Sequence, residues 1–313
     1  MVTLVQRTGA SLGDRLPAPG WRTRFAPAPT GYLHLGHLVN ALHVWGLARA
    51  FGGHVILRIE DHDRTRCRPE YETALLDDLE WLGFVPDHGD IAQFRLGATP
   101  GRQSDNGAAY DAALTRLGDM QRVYACTCSR RDILAIAGPT VAGEEAAYPG
   151  TCRHNRQSPD GTRARRVVLD DGEVRFEDLA LGPQQQIPSH DCGDVLVRDR
   201  LGHPTYQFAV VVDDLKQGID VVIRGEDLLA STGRQIMLAH SLGRGTPPLF
   251  YHHALIRHAD GRKLSKAAHD TSLRELRASG ADADSLIGEA AKRAGLLHAP
   301  DRLAASDVAQ LFA

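Results

Sequence analysis

Two short runs hold the side chains best suited to phosphate chemistry. His34-Leu35-Gly36-His37 lies between a proline-rich turn and a helical pattern, and Lys263-Leu264-Ser265-Lys266 lies on a glycine-led loop far downstream. A helix N-terminus offers unpaired N–H groups and the positive end of a dipole, which suits an anionic oxygen. Two imidazoles in the first turn add donors, and Gly36 leaves the backbone open to close approach. Two lysines on a loop could close over a polyphosphate and stabilise charge developing there. Lysine is scarce: only Lys216, Lys263, Lys266 and Lys292 occur among 36 basic residues, so half of them fall in one tetrapeptide. The plain alternatives are that the histidines cap a helix and that the lysines decorate an exposed loop.

A third group is built from sulfur. Cys126 and Cys128 form a Cys-x-Cys pair, and Cys152 follows. With five cysteines and no export signal, the cluster favours a thiolate metal site over disulfides. Zinc takes four tetrahedral donors, so a fourth ligand is needed. Tyr148, four residues before Cys152, and His154, two after it, both stand close enough in sequence. Cys67 and Cys192 are isolated and carry no such reading.

The elements that must position these groups follow a strand–helix alternation. WRTRFAPAP is an extended run, LGHLVNALHVWGLARAFG a helix, HVILRIED a buried strand and YETALLDDLEWLGF an amphipathic helix. That order predicts an α/β fold with a parallel sheet, whose ligands bind beyond the strand carboxyl ends. From about Tyr124 to Ser189 the pattern becomes short-stranded and rich in Arg and Gly, as an insertion would be. Two strands, YQFAVVVDD and IDVVIRGE, are then expected, followed by a helix over LLASTGRQIMLAHSLG capped by Ser231 or Thr232. A strand and loop over ALIRHADGRKLSK and short terminal helices complete the chain.

Composition limits the function. The 313 residues carry a net charge of −3, with 42% hydrophobic and 24% charged residues. This is an ordinary globular composition, and it excludes a protein whose whole surface binds polyanions, though not a local basic face. No apolar run approaches the ~20 residues of a membrane span, and MVTLVQRTGASLGDRLPAPG has no signal-peptide core.

The two tetrapeptides, in this order and within this pattern, resemble the ATP-binding signatures of class I aminoacyl-tRNA synthetases. Neighbouring runs narrow the likeness. Arg24-Phe25-Ala26-Pro27-Ala28-Pro29-Thr30-Gly31, Arg58-Ile59-Glu60-Asp61, Tyr206-Gln207-Phe208-Ala209, Val211-Val212-Asp213-Asp214 and Val222-Ile223-Arg224-Gly225-Glu226-Asp227 resemble the glutamyl-tRNA synthetase versions. The likeness covers roughly residues 22–278. It implies that His34, His37, Lys263 and Lys266 are catalytic, and that Gly36 and Ser265 join them in binding ATP with Mg2+. It implies a glutamate pocket of Arg24, Phe25, Ala26, Pro27, Ala28, Glu60, Tyr206 and Arg224. Arginine suits a carboxylate because its guanidinium donates two parallel hydrogen bonds, and Glu60 suits an α-ammonium. An Arg24–Glu60 ion pair without ligand is the alternative. The likeness also implies one structural Zn2+ on Cys126, Cys128, Tyr148 and Cys152, with His154 still a rival to Tyr148.

The expected organisation is a flexible leader (1–20), a Rossmann-like catalytic domain in two halves (21–123 and 190–266), an inserted zinc-binding lobe (124–189) and a helical segment (267–313). Residues 267–313 are too few for an anticodon-binding domain of usual size. This plan resembles the glutamyl-queuosine tRNA(Asp) synthetases, which look like truncated glutamyl-tRNA synthetases. The resemblance implies activation of L-glutamate by ATP without tRNA, then transfer to queuosine in the anticodon of tRNA(Asp). Arginines between Arg153 and Arg166 would meet the RNA backbone. A cytoplasmic monomer without membrane association is expected. The competing readings are a minimal glutamyl-tRNA synthetase charging the 3′ end of tRNA(Glu), and a non-catalytic binding module.

Overall fold

The computed structural model describes residues 11–138, 145–154, 164–256, 271–299 and 301–313. In chain order the first half comprises α1 (Leu12–Arg15), β1 (Arg22–Phe25), α2 (Leu35–Ala50), β2 (His54–Leu57), α3 (Pro69–Leu82), α4 (Ile91–Leu96), α5 (Gly107–Asp119), β3 (Val123–Cys126) and α6 (Arg130–Ala137). There follow β4 (Ala164–Val167), β5 (Val174–Asp178), β6 (Gly182–Gln186), α7 (Pro188–Asp191), β7 (Val195–Arg198), α8 (Tyr206–Gln217) and β8 (Val221–Gly225). Last come α9 (Thr232–Ser241), β9 (Leu249–His253), α10 (Leu273–Ala278) and α11 (Ala283–Arg293), with 3-10 turns at Gln103–Asn106, Glu226–Ser231 and Ala305–Leu311.

The centre is parallel, as the alternation predicts. β1 pairs in parallel with β2, and β8 with β9. The Asp220 N–H donates to the Arg22 carbonyl at 2.9 Å and brings the start of β8 beside β1. Beyond β9 lie β5, in parallel, and β6, antiparallel to β5. Helix α2 crosses this centre and is apolar on most sides because it is covered on most sides. Leu38, Leu42, Val44, Trp45 and Leu47 are buried in one core with Trp21, Phe25, Val221 and Ile287. A Cβ on Gly46 would come within 2.2 Å of the Phe312 ring, so glycine there admits the C-terminal turn. Among the described residues, no helix is long and apolar enough to cross a membrane.

Several expectations need correction. YQFAVVVDD is the helix α8, not a strand. Phe208, Val211, Val212 and Leu215 also fit helical spacing, and a continuous apolar run does not distinguish the two by period. Burial on both flanks, against Tyr110, Leu114 and Leu238, selects the helix. The strand expected within ALIRHADGRKLSK lies earlier, at Leu249–His253, and residues 257–270 are outside those described. The helix expected from Leu228 begins at Thr232; Ser231 precedes it but makes no side-chain cap bond.

Residues 11–20 are not loose. Leu12 and Leu16 pack on the core, and Arg15 pairs with Glu177 at 2.7 Å and donates to the Leu179 carbonyl at 3.1 Å. Nor do the sheets divide at 124 and 189. β3, β4 and β7 form a separate antiparallel sheet, so β7 joins it from beyond 189, while β5 and β6 from within 124–189 join β9.

Candidate active site

The histidine pair begins α2, and it caps the helix. His34 is the N-cap residue with an extended backbone, and its Nδ1 accepts the Gly36 N–H at 3.0 Å. The His37 Nδ1 accepts the His34 N–H at 3.1 Å, which completes a reciprocal box made of two imidazoles. In a neutral ring whose Nδ1 accepts, the proton sits on Nε2. Capping and donation are therefore compatible: the cap fixes the tautomer that leaves Nε2 as a donor. Gly36 has a local reason as well. A Cβ there would meet the His34 ring at 2.8 Å.

Lys263, Ser265 and Lys266 lie outside the described residues. Both flanks of their segment rest on the start of α2. The His253 Nε2 lies 3.1 Å from the Asn40 Oδ1, and the Leu273 N–H donates to the Leu33 carbonyl at 2.8 Å.

A cavity of about 400 Å3 opens beyond the ends of β1 and β8. Its walls include Arg24, Ala26, Ala28, Glu60, Tyr206 and Arg224. Phe25 and Pro27 do not line it. Alternation along an extended segment turns them the other way, and Phe25 packs on Trp45 with ring centroids 5.1 Å apart. His62, Asp63 and Arg66 line it too, and nothing in their spacing singled them out.

The charges around this cavity form a closed network. Asp214, on the last turn of α8, accepts from Arg24 Nε at 3.2 Å and from Arg58 Nη2 at 2.5 Å. Arg58 is wholly buried and also donates to Gln217. Its Nη1 lies 3.8 Å from Glu60 Oε1 and makes no hydrogen bond. The alternative of an Arg24–Glu60 ion pair is not what forms: Arg24 turns to Asp214, and Arg58 stands nearest Glu60. Burial pushes the Glu60 carboxyl up to about 7 against the pull of Arg58 and Arg24. Burial also opposes the charge on Asp214, but its arginines outweigh it and hold that carboxyl below the usual range. Asp213 faces away, accepting from Gln103 at 2.8 Å and Tyr110 at 2.9 Å, and burial raises its pKa.

Arg58 and Asp214 are the functional neighbours that motif matching left without a role. One signal pointed to Arg58. A charge inside the apolar run VILRIED must find a partner, because an unpaired buried charge is too costly.

The sulfur cluster assembles at the end of β3. The Sγ atoms of Cys126, Cys128 and Cys152 lie within 4.8 Å of one another. The Tyr148 hydroxyl lies 3.5 Å from Cys126 Sγ and 3.9 Å from Cys128 Sγ, and it accepts the Cys152 N–H at 2.9 Å. His154 is exposed on the following turn. The geometry thus favours Tyr148 over His154. The Arg166 guanidinium lies 3.7 Å from the centre of the Tyr148 ring, a cation–π contact, and burial raises the pKa of the Tyr148 hydroxyl. Burial raises the Cys152 thiol, but hydrogen bonds from Thr127, Tyr148 and Cys128 outweigh it and bring it down to about 6. Three converging thiols and a phenol fit a tetrahedral zinc ion, which would tie a strand end to a loop and supply no reactive group.

Comparison with known proteins agrees with this architecture. Residues 21–297 match the family of class I tRNA synthetases (E and Q), catalytic domain. A protein named glutamyl-Q tRNA(Asp) synthetase from Symbiobacterium thermophilum is 41% identical over 300 residues, covering 92% of this chain and 91% of that one. Glutamate–tRNA ligase 2 of Syntrophus aciditrophicus is 39% identical over 275 residues, and the chain spans 56% of its length. The crystal structure of glutamate-tRNA synthetase from Elizabethkingia anophelis superposes with a TM-score of 0.74 at 26% identity, covering 93% of this chain and 65% of that one. The chain is therefore a ligase that belongs to the class I synthetases for glutamate and glutamine, in the group whose members are named glutamyl-Q tRNA(Asp) synthetase.

Proposed function

We propose that this chain activates L-glutamate with ATP before any tRNA binds, and then passes the glutamyl group to the queuosine in the anticodon of tRNA(Asp). A glutamate carboxylate oxygen attacks the α-phosphorus of ATP, the bond to pyrophosphate breaks, and glutamyl-adenylate forms. A hydroxyl of the queuosine cyclopentenediol then attacks the glutamyl carbonyl, AMP leaves, and the hydroxyl proton is lost to solvent or phosphate.

The roles follow from charge and place. Arg24 and Arg224 receive carboxylate oxygens, Glu60 the α-ammonium, and Tyr206 offers its hydroxyl. The Nε2 donors of His34 and His37, with Gly36, serve the ATP phosphates at the start of α2. Lys263, Ser265 and Lys266, which lie outside the described residues, would add positive charge and a hydroxyl to the phosphates, with Mg2+ neutralising phosphate charge. Zn2+ on Cys126, Cys128, Tyr148 and Cys152 would hold the neighbouring sheet in shape. The RNA grip is assigned to arginines of 153–166, of which 155–163 lie outside the described residues.

One observation carries this reading. Arg24 on β1, Tyr206 on α8, Arg224 on β8 and Glu60 just beyond β2 line one cavity beside α2. Opposite charges across a space of amino-acid size suit a zwitterion with a second carboxylate. The test is ATP–pyrophosphate exchange without tRNA. Glutamate should support it and glutamine should not. Absence of glutamate-dependent exchange would sink the reading and leave a non-catalytic module.

A further inference from the structure

Three ionisable side chains cross the sheet in a row beneath the cavity. β5, β9 and β8 are neighbours, with Asp178 paired to Phe250 and Arg224 to His252 in register. Asp178 Oδ2 lies 2.6 Å from His252 Nδ1, and Arg224 Nε lies 3.0 Å from His252 Nε2. The side chains of Asp178 and His252 are wholly buried and neither lines the cavity.

The proton positions follow from donor chemistry. An arginine Nε–H can only donate, so His252 Nε2 must accept and Nδ1 must carry the proton toward Asp178. The Thr232 hydroxyl, 3.4 Å from the same Nε2, can also donate to it. A protonated His252 would set N–H against N–H beside a guanidinium. Burial, with Arg224 adding to it, holds the His252 pKa below its ordinary value despite Asp178. Asp178 is itself anchored, because its Oδ1 accepts the N–H groups of Ala180 at 3.0 Å and Leu181 at 2.8 Å.

Arg224 is gripped on its buried side by His252, Gln235 at 2.7 Å and Thr232 at 2.9 Å. Its other contacts run to the Leu228 carbonyl at 3.4 Å and the Tyr206 hydroxyl, both of which belong to the cavity wall. We propose that His252 is a positioning residue: Asp178 sets its tautomer, and His252 sets the rotation of the Arg224 guanidinium that receives a glutamate carboxylate. The inference rests on the reading of the cavity as a glutamate site.

Asp178→Asn tests it at a site that touches neither substrate. The Ala180 and Leu181 N–H groups still need an acceptor, so the amide oxygen stays with them and the NH2 replaces Oδ2. That NH2 must donate to His252 Nδ1, which drives the imidazole proton to Nε2 and against Arg224. The same tautomer error follows Asp-to-Asn exchange in hydrolytic triads. In tRNA-free exchange, D178N should raise the glutamate KM about tenfold and leave the ATP KM within about twofold. H252Q, whose Oε1 can accept from Arg224, should raise it less than H252L. A merely structural role would shift both KM values together with the melting temperature. If the wild-type chain exchanges with glutamate and D178N keeps its glutamate KM, the inference falls and the cavity reading stands. If the wild-type chain shows no glutamate-dependent exchange, both fall. Should D178N fail to fold, equal glutamate KM values for H252Q and H252L would overturn the inference.

Discussion

The arginine-lined cavity and the cysteine cluster gather functional side chains in opposite ways. Around the cavity the buried arginines already have protein partners: Arg24 and Arg58 converge on Asp214, and Arg224 on His252, Gln235 and Thr232. These residues sit on β1, β8, β9, α8 and α9, with Arg58 directly after β2, and these elements are packed in the main cores. In the cysteine cluster the polar atoms have mostly each other. Cys128 and Cys152 stand 3.5 Å apart, and the Tyr148 hydroxyl faces the thiols. Its donors come from one strand end and an irregular loop. The cavity is therefore shaped by bonds within the protein itself. The cluster holds three thiols within 4.8 Å of one another, an arrangement that a cation would tie together.

The contrast breaks most sharply at Arg58. Arg58→Met leaves Asp214 buried with Arg24 as its main counter-charge and Gln217 without its donor. A loss of about 3–5 kcal/mol in urea unfolding is expected, as for a broken buried pair. A loss under about 1 kcal/mol would mean that the network does not shape the cavity. Metal removal is the next largest test. Chelation, or Cys152→Ser, should release one zinc and lower hydrogen-exchange protection of β4 and β7 by about 2 kcal/mol, with β1, β2 and β8 unchanged. Equal loss in both regions would erase the distinction.

The smallest effect is a pH dependence. Glu60 has its carboxyl raised to about 7 by burial, and only its ionised form pairs with an α-ammonium. As pH falls through that value the ionised fraction is lost. The glutamate KM should then rise by up to about tenfold per pH unit. Glu60→Gln should bind glutamate weakly and remove the dependence. A flat profile in the wild-type chain would show that Glu60 does not meet the ammonium.

Legibility in the sequence follows the same divide. The start of α2 was readable because a proline-rich turn, two histidines and a long apolar pattern agree. The polar pocket residues were readable because their motifs lie at strand and helix ends. Helix α8 was misread because YQFAVVVDD is apolar and β-branched throughout, and only its neighbours in the fold decide its form. The Arg58–Asp214 pair joins residues 156 positions apart, so its members were visible and its bond was not. His252 was invisible for the same reason: a histidine near a strand end acquires its role only from Asp178 and Arg224 on flanking strands. For the cysteines, spacing supplied the three thiols, and only the fold brought Tyr148 rather than His154 to them.

The central claim is the destination of the activated glutamate. It is tested most directly with labelled glutamate, ATP and two preparations of tRNA(Asp), one carrying queuosine and one lacking it. The account predicts label on the queuosine-containing tRNA alone. Label on tRNA(Asp) lacking queuosine, or on the 3′ end of tRNA(Glu), would contradict it and assign the chain to ordinary glutamate charging.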